Sequence, residues 1–552
     1  MNISIKQISS MEKIRNREDI KNEVSEVQLF LGEHYSYQIV LETDECTVSE
    51  IKVESELSDY INIYSVEDGI MDLPCYSENT DDDYITKNKG VMPDILIPVE
   101  QNNDIKMFAK GIKTFWVEVC VPDNFDCGKY DIAVHFTCRP STPTGEVKTI
   151  KTVFHAEIIN VKLPVQELLY TQWFHVDCIA SVHNVEIYSE EHWELIDKYM
   201  KTAVELGINM ILTPVITPPL DTEVGKTRPV TQLVKITKID GAYVFDFSLL
   251  HRWIMMCKKN GIKYFEISHL FSQWGAKFSP NIYVYHDEEL VNEFGWHIKA
   301  DDEKYIIFLK QFLSELVEFL KSEGVAEDCY FHLSDEPSEE HIEAYRRAYK
   351  MVKPLIGDCK VMDALSHYDF YKNGLVENPV CSIKYIEPFL KNHTENLWAY
   401  YCCIEGDKVG NRFLSMPSYR NRILGLQLYK HDIKGFLQWG YNFYYSQYSR
   451  YEINPYITSS ADGAFPSGDA FSVYPGKDGP LKSLRAIIFY ESLQDILICK
   501  MLERIIGKSK VVEFIDNMAD MDISFSHYPR NSTFVPEVIS EMKMEILKAI
   551  AK

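Results

Sequence analysis

The sequence predicts an α/β protein, a (β/α)8 barrel preceded by an antiparallel β-sandwich, on three observations. Up to Leu163-Pro164 the apolar residues recur mostly at every second position; beyond it, short apolar runs alternate with helix-period segments. Eight such runs can be counted over roughly 340 residues. The first of them lacks the Gly-rich phosphate turn that would favour the alternative, a doubly wound open sheet. At 552 residues the chain exceeds the size at which single cores stop growing. Two domains are therefore expected, a sandwich over 1–163 and a (β/α)8 barrel with a C-terminal helical extension over 164–552.

In the first part, "VQLFLGEHYSYQIVLE", "VSEIKVES", "INIYSV", "KTFWVEVCVP", "KYDIAVHFTC" and "VKTIKTVFHAEIINVKLP" are β-branched and aromatic runs. Asn, Asp, Gly, Pro and Ser turns separate them, the pattern of an antiparallel sandwich. In the second part "YTQWFHVDCI" leads to a helix that starts after Ser189, carries Trp193, Ile196, Met200, Ala203 and Val204 on one face, and stops at Gly207. "NMILTPV" is followed by "LLHRWIMMCKKNG", with a hairpin "TQLVKITKIDGAYVFDF" inserted between them. "KYFEISHLF" leads to a helix with Phe308, Phe312, Leu316 and Phe319 at helical spacing. "CYFHLSDEP" meets "SEEHIEAYRRAYKMVKPL", with Ser338 as its N-cap. "KVMDALSH", "CSIKYIE", "NLWAYYCC" and "GFLQWGYNFY" supply strands five to eight.

Composition bounds the function. There are 57 Lys+Arg against 82 Asp+Glu, a formal net charge of -25 that repels nucleic acid and anionic lipid surfaces. No apolar run approaches the ~18 residues of a membrane helix, so no membrane span is expected. The N-terminus lacks the apolar core of a secretory signal, which predicts a cytoplasmic address. The 13 cysteines sit inside apolar segments or, at Cys402-Cys403, in a pair without a partner pair at zinc spacing; neither metal nor cofactor is expected.

In a barrel the active site forms where the strands end at their C-terminal side. The residues there are Trp173, His175 and Asp177 after strand one, and Glu266, His269 and Trp274 at and after strand three. Strand four ends in Asp335 and Glu336, strand five in Asp363 and strand six in Glu387. Strand seven ends in Tyr400, Tyr401 and Glu405, and strand eight in Trp439, Asn442 and Tyr444. Aromatic side chains that stack on sugar faces, together with several acids, point to carbohydrate chemistry. The adjacent pair Asp335-Glu336 reads in two ways: as acids in the first turn of a helix, or as a division of labour in which one acid aims at a glycosidic oxygen and the other holds a substituent of the same ring.

Three ordered motifs, "YFHLSDEP", "PSYRNRILGLQLYKHDIKGFLQWGYNFY" and "FPSGDAFSVYPG", make residues 165–510 similar to glycoside hydrolase family 123, the β-N-acetylgalactosaminidases. The resemblance implies substrate-assisted retaining hydrolysis. Glu336 would be the general acid and then the base, with a raised pKa, and an ionised Asp335 would orient the 2-acetamido group that attacks the anomeric carbon. It further implies Trp439, Asn442 and Tyr401 around the acetamido methyl and the sugar hydroxyls, with Asp469 of the last long loop binding hydroxyls. A conventional retaining enzyme with Glu405 or Glu387 as nucleophile is the alternative reaction, and a non-catalytic sugar-binding protein the alternative class.

Overall fold

The computed structural model describes residues 2–99, 105–141 and 145–550. The N-terminal region holds two five-stranded sheets. One runs Ile3–Ser9, His34–Thr43, Ile112–Cys120, Ile61–Met71, Gly90–Pro98, and the other Glu26–Leu31, Lys148–Lys162, Gly128–Pro140, Thr47–Glu54, Ile105–Met107. Alternation builds the core between them: Ile132, Val134, Phe136 and Cys138 point inward from one strand and meet Tyr37, Phe115 and Phe154. The expected all-antiparallel pairing fails in one place, because Lys148–Lys162 runs parallel to Glu26–Leu31. The chain passes from Glu26–Leu31 through Gly32 directly into a strand of the other sheet. A period of two reports which face is buried and says nothing of the neighbour's direction.

Eight short strands then form one parallel sheet: Leu169–Gln172, Met210–Thr213, Tyr264–Ile267, Cys329–Phe331, Lys360–Leu365, Asn378–Ser382, Trp398–Tyr400 and Gly435–Gln438. They pair in chain order, and the eighth returns to pair with the first. Between the first and second strands there is no ladder; Asn209 bridges the gap. Its N–H donates to the Tyr170 carbonyl at 3.2 Å, and its side-chain oxygen accepts from the Tyr170 N–H at 2.8 Å. The sheet is thus a nearly closed barrel, filled by Met210, Leu212, Tyr330, Met362, Trp398 and Leu437.

The helices lie outside with their apolar stripes inward. Glu190–Glu205 is capped by the Ser189 hydroxyl, which accepts from His192 N–H, and buries Trp193, Ile196, Met200 and Ala203. The hairpin Lys235–Ile239/Ala242–Asp246 forms at Asp240-Gly241, and a second hairpin, Ile282–His286/Glu289–Phe294, joins it in a four-stranded sheet beside the barrel. Helices Leu484–Ile506, Lys508–Ala519 and Phe534–Ile550 close the chain. The seam with the sandwich carries a buried ion pair, Asp94 with Arg485, at 2.8 and 2.9 Å. Among the described residues no helix is long and apolar enough to cross a membrane.

Candidate active site

The fourth strand ends at Phe331, and a turn of helix begins only at Glu339. Asp335 and Glu336 therefore lie on an irregular corner, and the helix-turn explanation of their proximity falls away. The corner is pinned from both sides. The Asp363 carboxylate, from the fifth strand, accepts from Leu333 N–H at 3.0 and 3.1 Å and from Ser334 N–H at 3.4 Å. The Ser334 hydroxyl donates to the Ser272 carbonyl at 2.9 Å, the Asp335 carbonyl accepts from Trp274 N–H at 2.8 Å, and Glu336 N–H donates to the Ala364 carbonyl at 3.1 Å. Glu336 has φ +42°, left-handed backbone that costs a non-glycine residue of order 1 kcal/mol and is held here by those bonds.

A cavity of about 210 Å3 opens over this corner at the C-terminal ends of the strands. Besides the two acids it is lined by Trp173, His175, Trp274, Tyr400 and Trp439, all of which the sequence reading singled out. The Tyr400 hydroxyl donates to Glu336 Oε1 at 2.6 Å. Burial raises the Asp335 carboxyl well above its ordinary range, with the neighbouring Glu336 charge adding to it. Burial raises Glu336 too, but the Tyr400 hydrogen bond opposes that rise. Burial thus favours the neutral form of both acids, and the like charge of the neighbour adds to that at Asp335.

Under the cavity floor lies a charged chain. Trp173 Nε1 donates to Glu266 Oε1 at 2.5 Å, and His332 bridges Glu266 at 2.6 Å and Asp363 at 3.0 Å. Burial opposes an imidazolium there, yet the hydrogen bonds to Asp363 and Glu266 prevail and lift His332 to about 10. His269 stacks on it at 4.2 Å, and burial beside that cation keeps His269 neutral. His269, His332 and Asp363 are close enough to hold a metal ion. Doing so would require stripping a proton from an imidazolium whose two nitrogens already donate to carboxylates, so the donor set fits a hydrogen-bonded charge network better than a metal centre.

Most of the other predicted residues are held off the cavity by partners of their own. Asp177 forms a buried ion pair with Arg228 at 2.8 and 2.9 Å. Arg228 also donates to His175 Nδ1 at 3.3 Å, so His175 uses Nε2–H toward the Trp439 carbonyl at 3.1 Å; burial first and the Arg228 charge second lower its pKa to about 3. Asn442 clasps the His175 backbone at 2.9 and 3.0 Å. Asp469 accepts from Trp439 Nε1 at 2.9 Å, and burial pushes it up to about 7. Tyr401 points away from the barrel axis, toward Asn421, Phe436 and Phe489. Glu405 is buried against Ser382 and Cys402 N–H, off the cavity. Glu387 starts a short surface helix, paired with Lys391.

The sequence reading missed Asp221, Gln273, Tyr448 and Phe465, which line the cavity. The second strand was the one whose end contributed no candidate, and Asp221, in "PPLDTEVG", is the acid its loop supplies.

Paired acids under three indoles open at the mouth of the parallel barrel, and the family match places the chain among the glycoside hydrolases. The chain belongs to glycoside hydrolase family 123: the pattern "Glycoside hydrolase 123, catalytic domain" matches residues 173–502. Among solved structures it is similar to a family 123 glycoside hydrolase from Clostridium perfringens, analysed for the details of glycolipid glycan hydrolysis. The two are 15% identical, covering 99% of this chain and 98% of that one at a TM-score of 0.72. A PapD-like domain of human CEP192 matches 29% of this chain and 87% of its own at 9% identity, with a TM-score of only 0.16. No curated protein matches.

Proposed function

We propose that this glycoside hydrolase removes β-linked N-acetylhexosamine, with N-acetylgalactosamine as the first choice, by substrate-assisted retaining hydrolysis. The observation that carries the reading is the corner itself: two adjacent acids opening on one small cavity, with Glu405 and Glu387, the conventional nucleophile candidates, both outside it. Neighbours in sequence cannot flank a sugar from opposite faces, whereas a nucleophile that belongs to the substrate needs no carboxylate opposite the acid. The fold shared with the Clostridium perfringens enzyme supports a glycolipid glycan as the substrate class.

A pocket that raises both carboxyls suits this chemistry, because the general acid must hold a proton near neutral pH. When the acetamido N–H of a bound sugar donates to Asp335, it stabilises the ionised form there and leaves Glu336 as the protonated member, where the leaving group needs it. Glu336 protonates the glycosidic oxygen as the bond to the anomeric carbon breaks, and the acetamido oxygen closes on that carbon to give an oxazolinium whose charge Asp335 offsets. Glu336 then takes a proton from water, which opens the ring with net retention. Trp173, Trp274 and Trp439 are assigned to the sugar faces. Asp177, Asp363, Asn442 and Asp469 are assigned to holding the corner and the wall, and Tyr401 to outer packing.

The test compares an aryl β-N-acetylgalactosaminide with the corresponding β-galactoside. Turnover confined to the acetamido sugar, with inhibition by its thiazoline, is the expected result; equal turnover of both would sink substrate assistance.

A further inference from the structure

We propose that Asp221 and Gln273 clamp one ring hydroxyl of the bound sugar and so select which sugar the pocket accepts; this rests on the glycosidase reading above. Asp221 follows the second barrel strand, and Gln273 lies in the loop after the third. The two are joined, because Asp221 N–H donates to Gln273 Oε1 at 2.7 Å. That contact fixes the carboxamide's orientation, since a backbone N–H can only donate. The amide nitrogen of Gln273 is thereby turned the other way, and it finds no partner although the residue is only 3% exposed. A buried donor without an acceptor costs about 1–3 kcal/mol and calls for a group that supplies one.

Asp221 presents the complementary half. Its Oδ2 accepts from Tyr448 N–H at 2.9 Å, and its carbonyl accepts from the Ser449 hydroxyl at 2.7 Å. Among the described residues no hydrogen bond reaches Oδ1. These bonds hold Asp221 at φ +38°, one of four left-handed positions lining the cavity, with Trp274, Glu336 and Tyr448. Burial raises Asp221 to about 6, which leaves it ionised and accepting at neutral pH. An open acceptor next to an open donor matches an alcohol, which does both at once.

Both residues line the same cavity as the dyad, and about 210 Å3 has room for one sugar ring with its substituents. The ring being clamped is therefore the ring being cleaved. Trp274, next in sequence to Gln273, stands 38% exposed against Tyr448 at 5.9 Å and offers an apolar face alongside.

Two variants separate the clamp from its scaffold. Asp221→Asn keeps an acceptor for Tyr448 N–H, and Gln273→Glu keeps the acceptor for Asp221 N–H while removing the donor. We expect each to lower kcat/KM on an aryl β-N-acetylgalactosaminide by at least about tenfold. Among the 3-, 4- and 6-deoxy analogues, one should be handled equally by wild type and variants, which identifies the clamped hydroxyl. A loss of the same factor on all three analogues, or no loss at all, would overturn the clamp. So would rescue of Asp221→Asn by azide, which would make Asp221 a covalent nucleophile. Calorimetric binding of the sugar thiazoline, or of free N-acetylgalactosamine where turnover is absent, reads the clamp without catalysis. A glycosidase reading that failed would therefore leave this one still decided.

Discussion

Buried acids at the seam between sandwich and barrel and buried acids lining the barrel mouth are treated in opposite ways. At the seam Asp94 receives a bidentate Arg485 at 2.8 and 2.9 Å and the Tyr474 hydroxyl at 2.7 Å. Burial opposes the guanidinium's charge, but Asp94 more than offsets it, so that pair is a fixed ion pair. At the mouth Asp335, Glu336 and Asp221 make no ion pair among the described residues; they meet a tyrosine hydroxyl and a backbone N–H instead. With no cation to hold their charge, burial raises all three. Charge is immobilised where it joins architecture and left without a counter-ion at the mouth, where the proposed reaction would move a proton.

The largest effect expected from breaking this contrast is at Glu336. Glu336→Gln removes the acidic proton and leaves the shape, so turnover of a substrate with an unactivated alcohol or sugar leaving group should fall by about 10²–10⁴-fold while the melting temperature holds. An unchanged rate would remove Glu336 from the chemistry. The matching change at the seam is Arg485→Met, which strands Asp94 without its partner and should cost about 3–5 kcal/mol of stability. We propose that 1–163 and 164–552 are the two domains and that this pair makes them unfold together. A single calorimetric transition in the wild type should then split in the variant; one transition in both would put the coupling elsewhere.

The contrast also explains what could be read from sequence. Barrel strands and their helices were legible because burial on one face writes a period into the chain, and the acid corner was legible because two acids and a proline at a strand end are unusual. Pairing direction in the sandwich was not, since the alternation that buries Ile132 and Phe136 is the same beside a parallel or an antiparallel neighbour. The predicted residues divided by what holds them: indoles reached the cavity, while Asp177, Asp363 and Asp469 were captured by Arg228, by backbone N–H groups and by Trp439. Asp221 and Gln273 were illegible because their meeting depends on how two loops after different strands cross, which no local pattern encodes.

A smaller effect tests how Tyr400 tunes Glu336. Tyr400→Phe removes the hydrogen bond that favours a charged Glu336, so the Glu336 pKa should rise further. The alkaline limb of kcat/KM, where the general acid loses its proton, should move to higher pH, with a modest loss of rate from the lost alignment. A limb that stays in place would mean that Tyr400 orients Glu336 without tuning it.

The smallest effect concerns stability at the mouth. A carboxyl whose folded pKa is raised contributes stability that is fully present below its unfolded pKa, near 3.8 for Asp335, and lost as pH rises through the folded value. Asp335→Asn removes that titration and relieves Glu336 of a like charge. Its melting temperature should therefore match the wild type in acid and exceed it increasingly as pH climbs above the ordinary carboxylate range. Each unit of displacement is worth about 1.4 kcal/mol. Thermal denaturation of both proteins across acid and neutral pH reads this difference. A variant less stable than wild type at neutral pH would mean that Asp335 is compensated after all, and that the mouth is held by the same rule as the seam.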